Sequence, residues 1–248
     1  MDPLLALRDA IALATFIYAG FRDWKEREVD PRVWIPAMVA GGCINGYELW
    51  LRGVDPITFV SLVLTGLFVA VFAIAVFLFR AMGGADFLAI ASMALLYPYP
   101  STCLFSLTTS SPIPPVLSIL SYAVLALIAI VIANLVANAR RAHILDEMGI
   151  RGSKKLRFLL TARVMTVEEL ERKRFFYPIY VPGLIDRATF DVEEDDRAWI
   201  PKLRESGAKY VVATWGIPTV TLFAVALVLY VLLGRSIIDL AILASMSA

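Results

Sequence analysis

Three stretches of the chain, Ile57–Phe79, Pro112–Ala139 and Tyr210–Gly234, run without a charged side chain. A helix needs about 20 mostly apolar residues to cross a bilayer, and each of these stretches supplies them. Three others are interrupted or brief. Leu4–Phe21 contains Arg8 and Asp9, Val33–Leu51 contains Glu48, and Phe87–Tyr99 is short. With 59% hydrophobic residues and a mean hydropathy of +0.74, the chain is more apolar than nearly all soluble domains. The expected fold class is a membrane all-α bundle of about six transmembrane helices.

The first stretch is expected to be a retained helix and not a cleaved signal peptide. It lacks a basic start and a small-residue cleavage site, and it ends in Arg22-Asp23. Arg8 and Asp9 are placed near an outer end, where they can snorkel or pair. With an outside amino terminus, the inner segments Arg22–Arg32, Arg80–Asp86 and Arg140–Lys209 hold 20 of the 23 basic residues. Leaving out the long segment, which weighs less, the balance is still 5 against 3. Both termini are therefore expected outside and the polar insert on the cytoplasmic face, in a multi-pass plasma-membrane protein. The two cysteines, Cys43 and Cys103, form no CxxC and read as unlinked small apolar residues.

The expected organisation is residues 1–139 as transmembrane helices one to five, 140–209 as a cytoplasmic soluble domain, and 210–248 as the sixth helix and its tail. Gly41-Gly42 and Gly46 in the second span permit close helix approach, and Asn134 and Asn138 suggest hydrogen bonds between helices. In the insert, Leu156–Met165 and Phe175–Val181 have strand-like composition, and Thr166 with Glu169 resembles a helix cap. Pro178 and Pro182 argue against a central strand there. A small mixed unit, mainly antiparallel β, is expected. His143 is the only histidine and reads as a solvated polar residue. Trp215 fits the aromatic belt at a membrane surface, and the last helix either starts after Pro218 or leaves the strip before it to bind extended chain.

Against this background two carboxylates stand out. Asp23 ends the first span and Asp86 follows the third within Met82-Gly83-Gly84-Ala85-Asp86. Two crossings separate them, so both belong to one face. Two carboxyl groups about 3 Å apart share a proton. The charged one can then draw a proton from water while the neutral one donates to a carbonyl under attack. Gly83, Gly84 and Ala85 allow a substrate backbone to come close. The alternative is that Asp23 merely pairs with Arg22, Lys25 or Arg27.

Tyr18 through Trp34, with Asp23, Lys25, Arg27, Glu28 and Val29, resembles the first-aspartate segment of the archaeal preflagellin peptidases. These are relatives of the type IV prepilin peptidases among the GxGD membrane aspartyl proteases. Gly83-Gly84-Ala85-Asp86 is similar to the second-aspartate motif, with Ala85 in the place of the second glycine. Gly216-Ile217-Pro218 is similar to the C-terminal Gly-Ile-Pro segment, although Trp215 precedes it where proline is expected. The resemblance implies that Asp23 and Asp86 are the catalytic pair, with Gly83, Gly84, Ala85, Gly216, Ile217 and Pro218 supporting the motif or the substrate. It implies an aspartic endopeptidase that removes a short basic leader from preflagellin or pilin-like precursors at the cytoplasmic membrane face, serving the archaeal flagellum.

No CxxC is present, so proteolysis without methyl transfer is expected. No cofactor, metal or nucleic acid is expected, and the partners are the precursors and the lipid bilayer. Glu168, Glu169, Glu171 and Asp191–Asp196 are candidates to meet a basic leader. Two other readings compete: a presenilin-like or signal-peptide-peptidase-like protease, whose Pro-Ala-Leu triplet is absent, and a transporter or scaffold using the aspartates for ions or helix pairing.

Overall fold

The computed structural model describes residues 2–79, 84–100, 113–190, 194–234 and 236–237. In chain order the elements are α1 (Pro3–Glu26), α2 (Trp34–Arg52), α3 (Pro56–Phe79), α4 (Gly84–Leu96), α5 (Pro115–Ala139), α6 (Ala142–Glu147) and α7 (Gly152–Thr161). There follow β1 (Arg163–Thr166), α8 (Val167–Arg172), β2 (Phe176–Val181), β3 (Ile185–Asp186), α9 (Ile200–Glu205), β4 (Tyr210–Trp215) and α10 (Thr219–Leu233). The chain divides into a helical unit, residues 1–126 with 218–248, and a second unit, residues 127–217.

Among the described residues three helices are long and apolar enough to cross a membrane: Pro3–Glu26, Pro56–Leu78 and Pro115–Ala139. α4 and α10 are apolar but shorter, about 20 and 22 Å at 1.5 Å per residue, and α2 carries Glu48. The expectation of about six spans thus rests on three helices of full length. On α3 the side chains of Leu67, Val71, Ile74 and Phe77 are each more than half exposed. A helix apolar all round with that much bare surface faces lipid. The chain is a membrane protein.

Within the helical unit α1 lies along α10, and α4 packs on α2, α3 and α10. Small residues set the closest approaches. A Cβ on Gly20 of α1 would stand 2.9 Å from Cβ of Ala224, and one on Gly41 of α2 would stand 2.9 Å from the Leu95 carbonyl oxygen of α4. Gly42 and Gly46 face open space, so of these three glycines only Gly41 serves a crossing. Arg8 and Asp9 do not snorkel: they are 0% and 2% exposed, because Asn45 and Tyr97 give them partners inside the bundle. Cys43 is exposed, and Cys103 lies outside the described residues.

The second unit holds an antiparallel sheet in the order β1-β4-β2-β3. Successive β4 residues alternate between its faces: Val211 and Ala213 join one core with Met165, Leu170 and Leu203, and Val212 joins another with Ile144, Phe158 and Val164. The expected helix cap is present as a full capping box between Thr166 and Glu169.

Several sequence expectations change here. Leu156–Thr161 belongs to helix α7, with Phe158 1% exposed on its inner side and Leu156 57% exposed. β2 is an interior strand despite Pro178, because the register shifts between Pro178 and Tyr180. Such a bulge tolerates a residue without an N–H. The stretch from Tyr210 does not open a membrane helix: it forms β4, and α10 begins only at Thr219. Trp215, at the end of β4, packs against the sheet core. Asn134 and Asn138 make the expected helix-to-helix bonds, from α5 to the end of α7, and also bond the start of β1.

Candidate active site

Asp23 sits in the last turn of α1 and is 8% exposed. The helix stops there because Arg27 turns into the left-handed region at φ 60°, with its N–H returning to the Asp23 carbonyl at 3.0 Å. That conformation costs an L-residue about 1–2 kcal/mol. Arg22, a cation the sequence offered as a partner for Asp23, instead pairs with Glu26 at 2.6 Å.

The partner of Asp23 is the start of another helix. Its Oδ2 accepts the Thr221 N–H at 2.9 Å and lies 3.2 Å from Thr221 Oγ1. That hydroxyl is also 2.7 Å from the Gly20 carbonyl oxygen. The first N–H groups of any helix lack an acceptor within it, and Pro218, the N-cap residue of α10, provides no side-chain bond. Asp23 supplies the missing cap from α1, with its charge at the positive end of the α10 dipole. Thr221 was not read from the sequence. The only signal was its place, three residues beyond a proline that cannot cap.

Asp86 is half-buried in the first turn of α4. Gly84 opens that helix with nothing within 4 Å of a would-be Cβ, and Ala85 packs against the bundle core. Gly83 lies outside the described residues.

Each acid lies at a helix end within the helical unit. The Tyr97 hydroxyl, just past α4, donates to Asp9 near the start of α1 at 3.0 Å. That contact joins the end of α4 to the first turns of α1. Running back from it at 1.5 Å per residue, Asp86 stands about 16 Å away along α4 and Asp23 about 21 Å away along α1.

Gly216 belongs to the sheet unit. Its N–H donates to the Phe175 carbonyl at 2.9 Å, and a Cβ there would stand 3.0 Å from the Tyr177 ring. Ile217 is 38% exposed, and Pro218 is the N-cap residue of α10. Among the described residues no group of three or more His, Cys, Asp or Glu side chains could hold a metal ion, and His143 is exposed.

The acidic candidates of the second unit are largely committed internally. Glu169 is forked by Arg141 at 2.5 and 2.7 Å, and Glu171 holds Arg204 at 2.6 Å. Glu194 takes Arg187 and the Trp199 indole, and Asp196 takes the Phe175 N–H. Residues 191–193 lie outside the described residues.

Comparison with curated proteins finds no match. Comparison with family profiles matches residues 10–137, just over half of the 248 residues and including both Asp23 and Asp86, to the type IV leader peptidase family. The apolar helices, the two acids on neighbouring helices and this match agree, and the chain belongs to the type IV leader peptidase family.

Proposed function

We propose that this peptidase is an aspartic endopeptidase in which Asp23 and Asp86 divide a water molecule between them. One carboxylate takes a proton from water. The other, protonated, donates to the scissile carbonyl oxygen as the hydroxide adds to carbon. Collapse of the tetrahedral intermediate breaks the C–N bond: the departing nitrogen takes up the proton held by the first carboxyl, and one hydroxyl of the diol returns its proton to the second carboxylate, which restores the starting state. The observation that supports the reading is that two acids, each at a helix end, both fall inside the family match.

The substrate is a preflagellin or pilin-like precursor, cut between a short basic leader and its apolar helix. The excess of basic residues in the segments flanking both aspartates supports a cytoplasmic setting for the reaction by the positive-inside rule. α2, α4 and α10 then complete a six-helix arrangement with α1, α3 and α5, the shorter ones shielded by their neighbours. Gly84 and Ala85 leave room for the substrate backbone beside Asp86.

The test uses purified full-length protein with a precursor carrying a basic leader. Asp23→Asn and Asp86→Asn are each expected to stop cleavage, and chelators to leave it unchanged. Residual cleavage of more than a few per cent by either variant rejects the dyad.

A further inference from the structure

The start of α1, the middle of α2 and the end of α4 bring together a concentration of buried polar groups, several helical turns along α1 and α4 from Asp23 and Asp86. Arg8 Nη1 donates to Asn45 Oδ1 at 3.0 Å, and Arg8 and Asp9 form an ion pair at 3.5 Å. The Arg8 guanidinium lies 4.7 Å from the centre of the Tyr97 ring, whose hydroxyl reaches Asp9 at 3.0 Å. Asn45 Nδ2 donates to the carbonyls of Leu95 and Leu96 at 2.6 and 3.1 Å. A charge pair hidden in an apolar bundle adds little net stability over an apolar replacement and is well suited to specifying one arrangement.

Everything in this cluster converges on the last turn of α4 and the residues just after it. Asn45 satisfies two of the terminal carbonyls of the helix. Ser61 and Thr65 of α3 both reach the Pro98 carbonyl, at 3.0 and 3.2 Å. Gly41 lets α2 touch the backbone there. Burial follows the same gradient: residues 84–88 are exposed or half-buried, whereas Ala89–Ala94 are buried throughout. α4 is thus gripped at one end and carries Asp86 at the other, about 15 Å away along the axis.

We propose that Arg8, Asp9, Asn45 and Tyr97 form a positioning element for the reaction, fixing the distal end of α4 so that its first turn holds Asp86 in register with Asp23. The proposal rests on the aspartate dyad for its functional meaning, but its geometric content is independent of catalysis. None of the four residues acts on substrate. Each works through the helix it anchors.

Two variants loosen the grip to different degrees. Tyr97→Phe removes only the hydroxyl and keeps the ring against Tyr230 and Arg8, and Asn45→Leu removes the carbonyl clamp. Gly46→Ala, in open space on α2, is the control. Geometry is read by placing cysteines at Lys25 and Gly84, beside each acid, in a Cys43→Ser, Cys103→Ser background, and cross-linking in membranes with bismaleimides of graded length. Turnover is read separately, without the added cysteines.

Tyr97→Phe is expected to shift the preferred linker length and to lower kcat about tenfold with KM within about twofold, since small misplacements of reacting groups are costly. Asn45→Leu is expected to do both more strongly, and the Gly46→Ala control neither. An unchanged cross-linking profile in Tyr97→Phe and Asn45→Leu overturns the proposal whatever happens to turnover. A shifted profile in a protein whose parent cleaves no precursor sustains the positioning and removes only the peptidase reading of the dyad.

Discussion

The Thr221 N–H donates to Oδ2 of Asp23 at 2.9 Å, a bond between residues 198 apart in sequence. It ties the end of α1 to the start of α10, and it makes one oxygen of a candidate catalytic carboxylate the cap of a neighbouring helix. The backbone donor is present whatever the side chain. The hydroxyl, at 3.2 Å from Asp23 and 2.7 Å from the Gly20 carbonyl, is divided between two acceptors.

Thr221→Val should therefore weaken the hold on Asp23 without abolishing it. A hydrogen bond to a charged group contributes about 1.5–3 kcal/mol, and the shared hydroxyl belongs at the lower end. The expected outcome is a fall in kcat of about tenfold or less, with Thr221→Ser close to the parent. Steady-state cleavage of a precursor checks both.

Gly20 tests the same junction sterically. A methyl group there would meet Ala224 Cβ at 2.9 Å and the Thr221 Cα at 3.3 Å. Overpacking of this kind typically costs about 1–3 kcal/mol, and here the displaced element is the turn that binds Asp23. Gly20→Ala should lower both the melting temperature in detergent and the cleavage rate. Gly42→Ala, with nothing within 4 Å, should change neither.

Local chemistry was readable in advance where it depends on a few adjacent residues. The Thr166 and Glu169 spacing announced a capping box, and the box is there. The long apolar run of α3 announced a membrane helix, because no soluble packing could cover it. What the sequence hid depends on distant partners. The sequence leaves Arg8 and Asp9 a choice between snorkelling and pairing; they pair and are buried, because Asn45 and Tyr97 reach them from α2 and the end of α4.

Short apolar runs misled for a different reason. Leu156–Thr161 and Tyr210–Trp215 carry too few residues for periodicity to separate strand from helix. The absence of charge after Tyr210 reflects a strand buried on both faces, which hydropathy alone cannot tell from a membrane span.

The Arg141–Glu169 pair gives a pH signature in the sheet unit. The forked Arg141 hydrogen bonds, helped by the Thr166 N–H at 3.1 Å, bring the Glu169 carboxyl down to about 2 from 4.5. A carboxylate whose folded value is depressed stabilises fully above its unfolded value and loses that contribution as pH falls toward the folded one. The window is therefore between about 4.5 and about 2. With the side chain 39% exposed, solvent screening limits the pair to about 1 kcal/mol or less. Glu169→Gln keeps a residue able to complete the capping box. Its α8 amides should exchange faster than the parent's at pH 6, and the difference should shrink as the pH approaches 3. A constant difference would locate the effect in the cap and not in the charge.

Asn138 is the sharper probe of how α5 holds the segments that follow it. Fully buried, it donates to the Leu159 and Ala162 carbonyls at 3.2 and 2.7 Å and accepts the Val164 N–H at 3.0 Å. One side chain thus satisfies the end of α7 and the start of β1. Asn134 makes a lighter version of the contact, to the Leu160 carbonyl at 3.1 Å and from Arg163 at 2.9 Å. At about 1 kcal/mol per bond, Asn138→Ala should destabilise the sheet unit by about 3 kcal/mol and Asn134→Ala by less. Asn138→Asp should be worse than alanine. It keeps the acceptor for Val164 but turns an anion toward carbonyl oxygens at the negative end of the α7 dipole. Hydrogen exchange at α7 and β1 separates the three: protection should fall in the order Asn134→Ala, Asn138→Ala, Asn138→Asp. An aspartate variant as well protected as the parent would mean that Asn138 acts there mainly as an acceptor, with its amide donors dispensable.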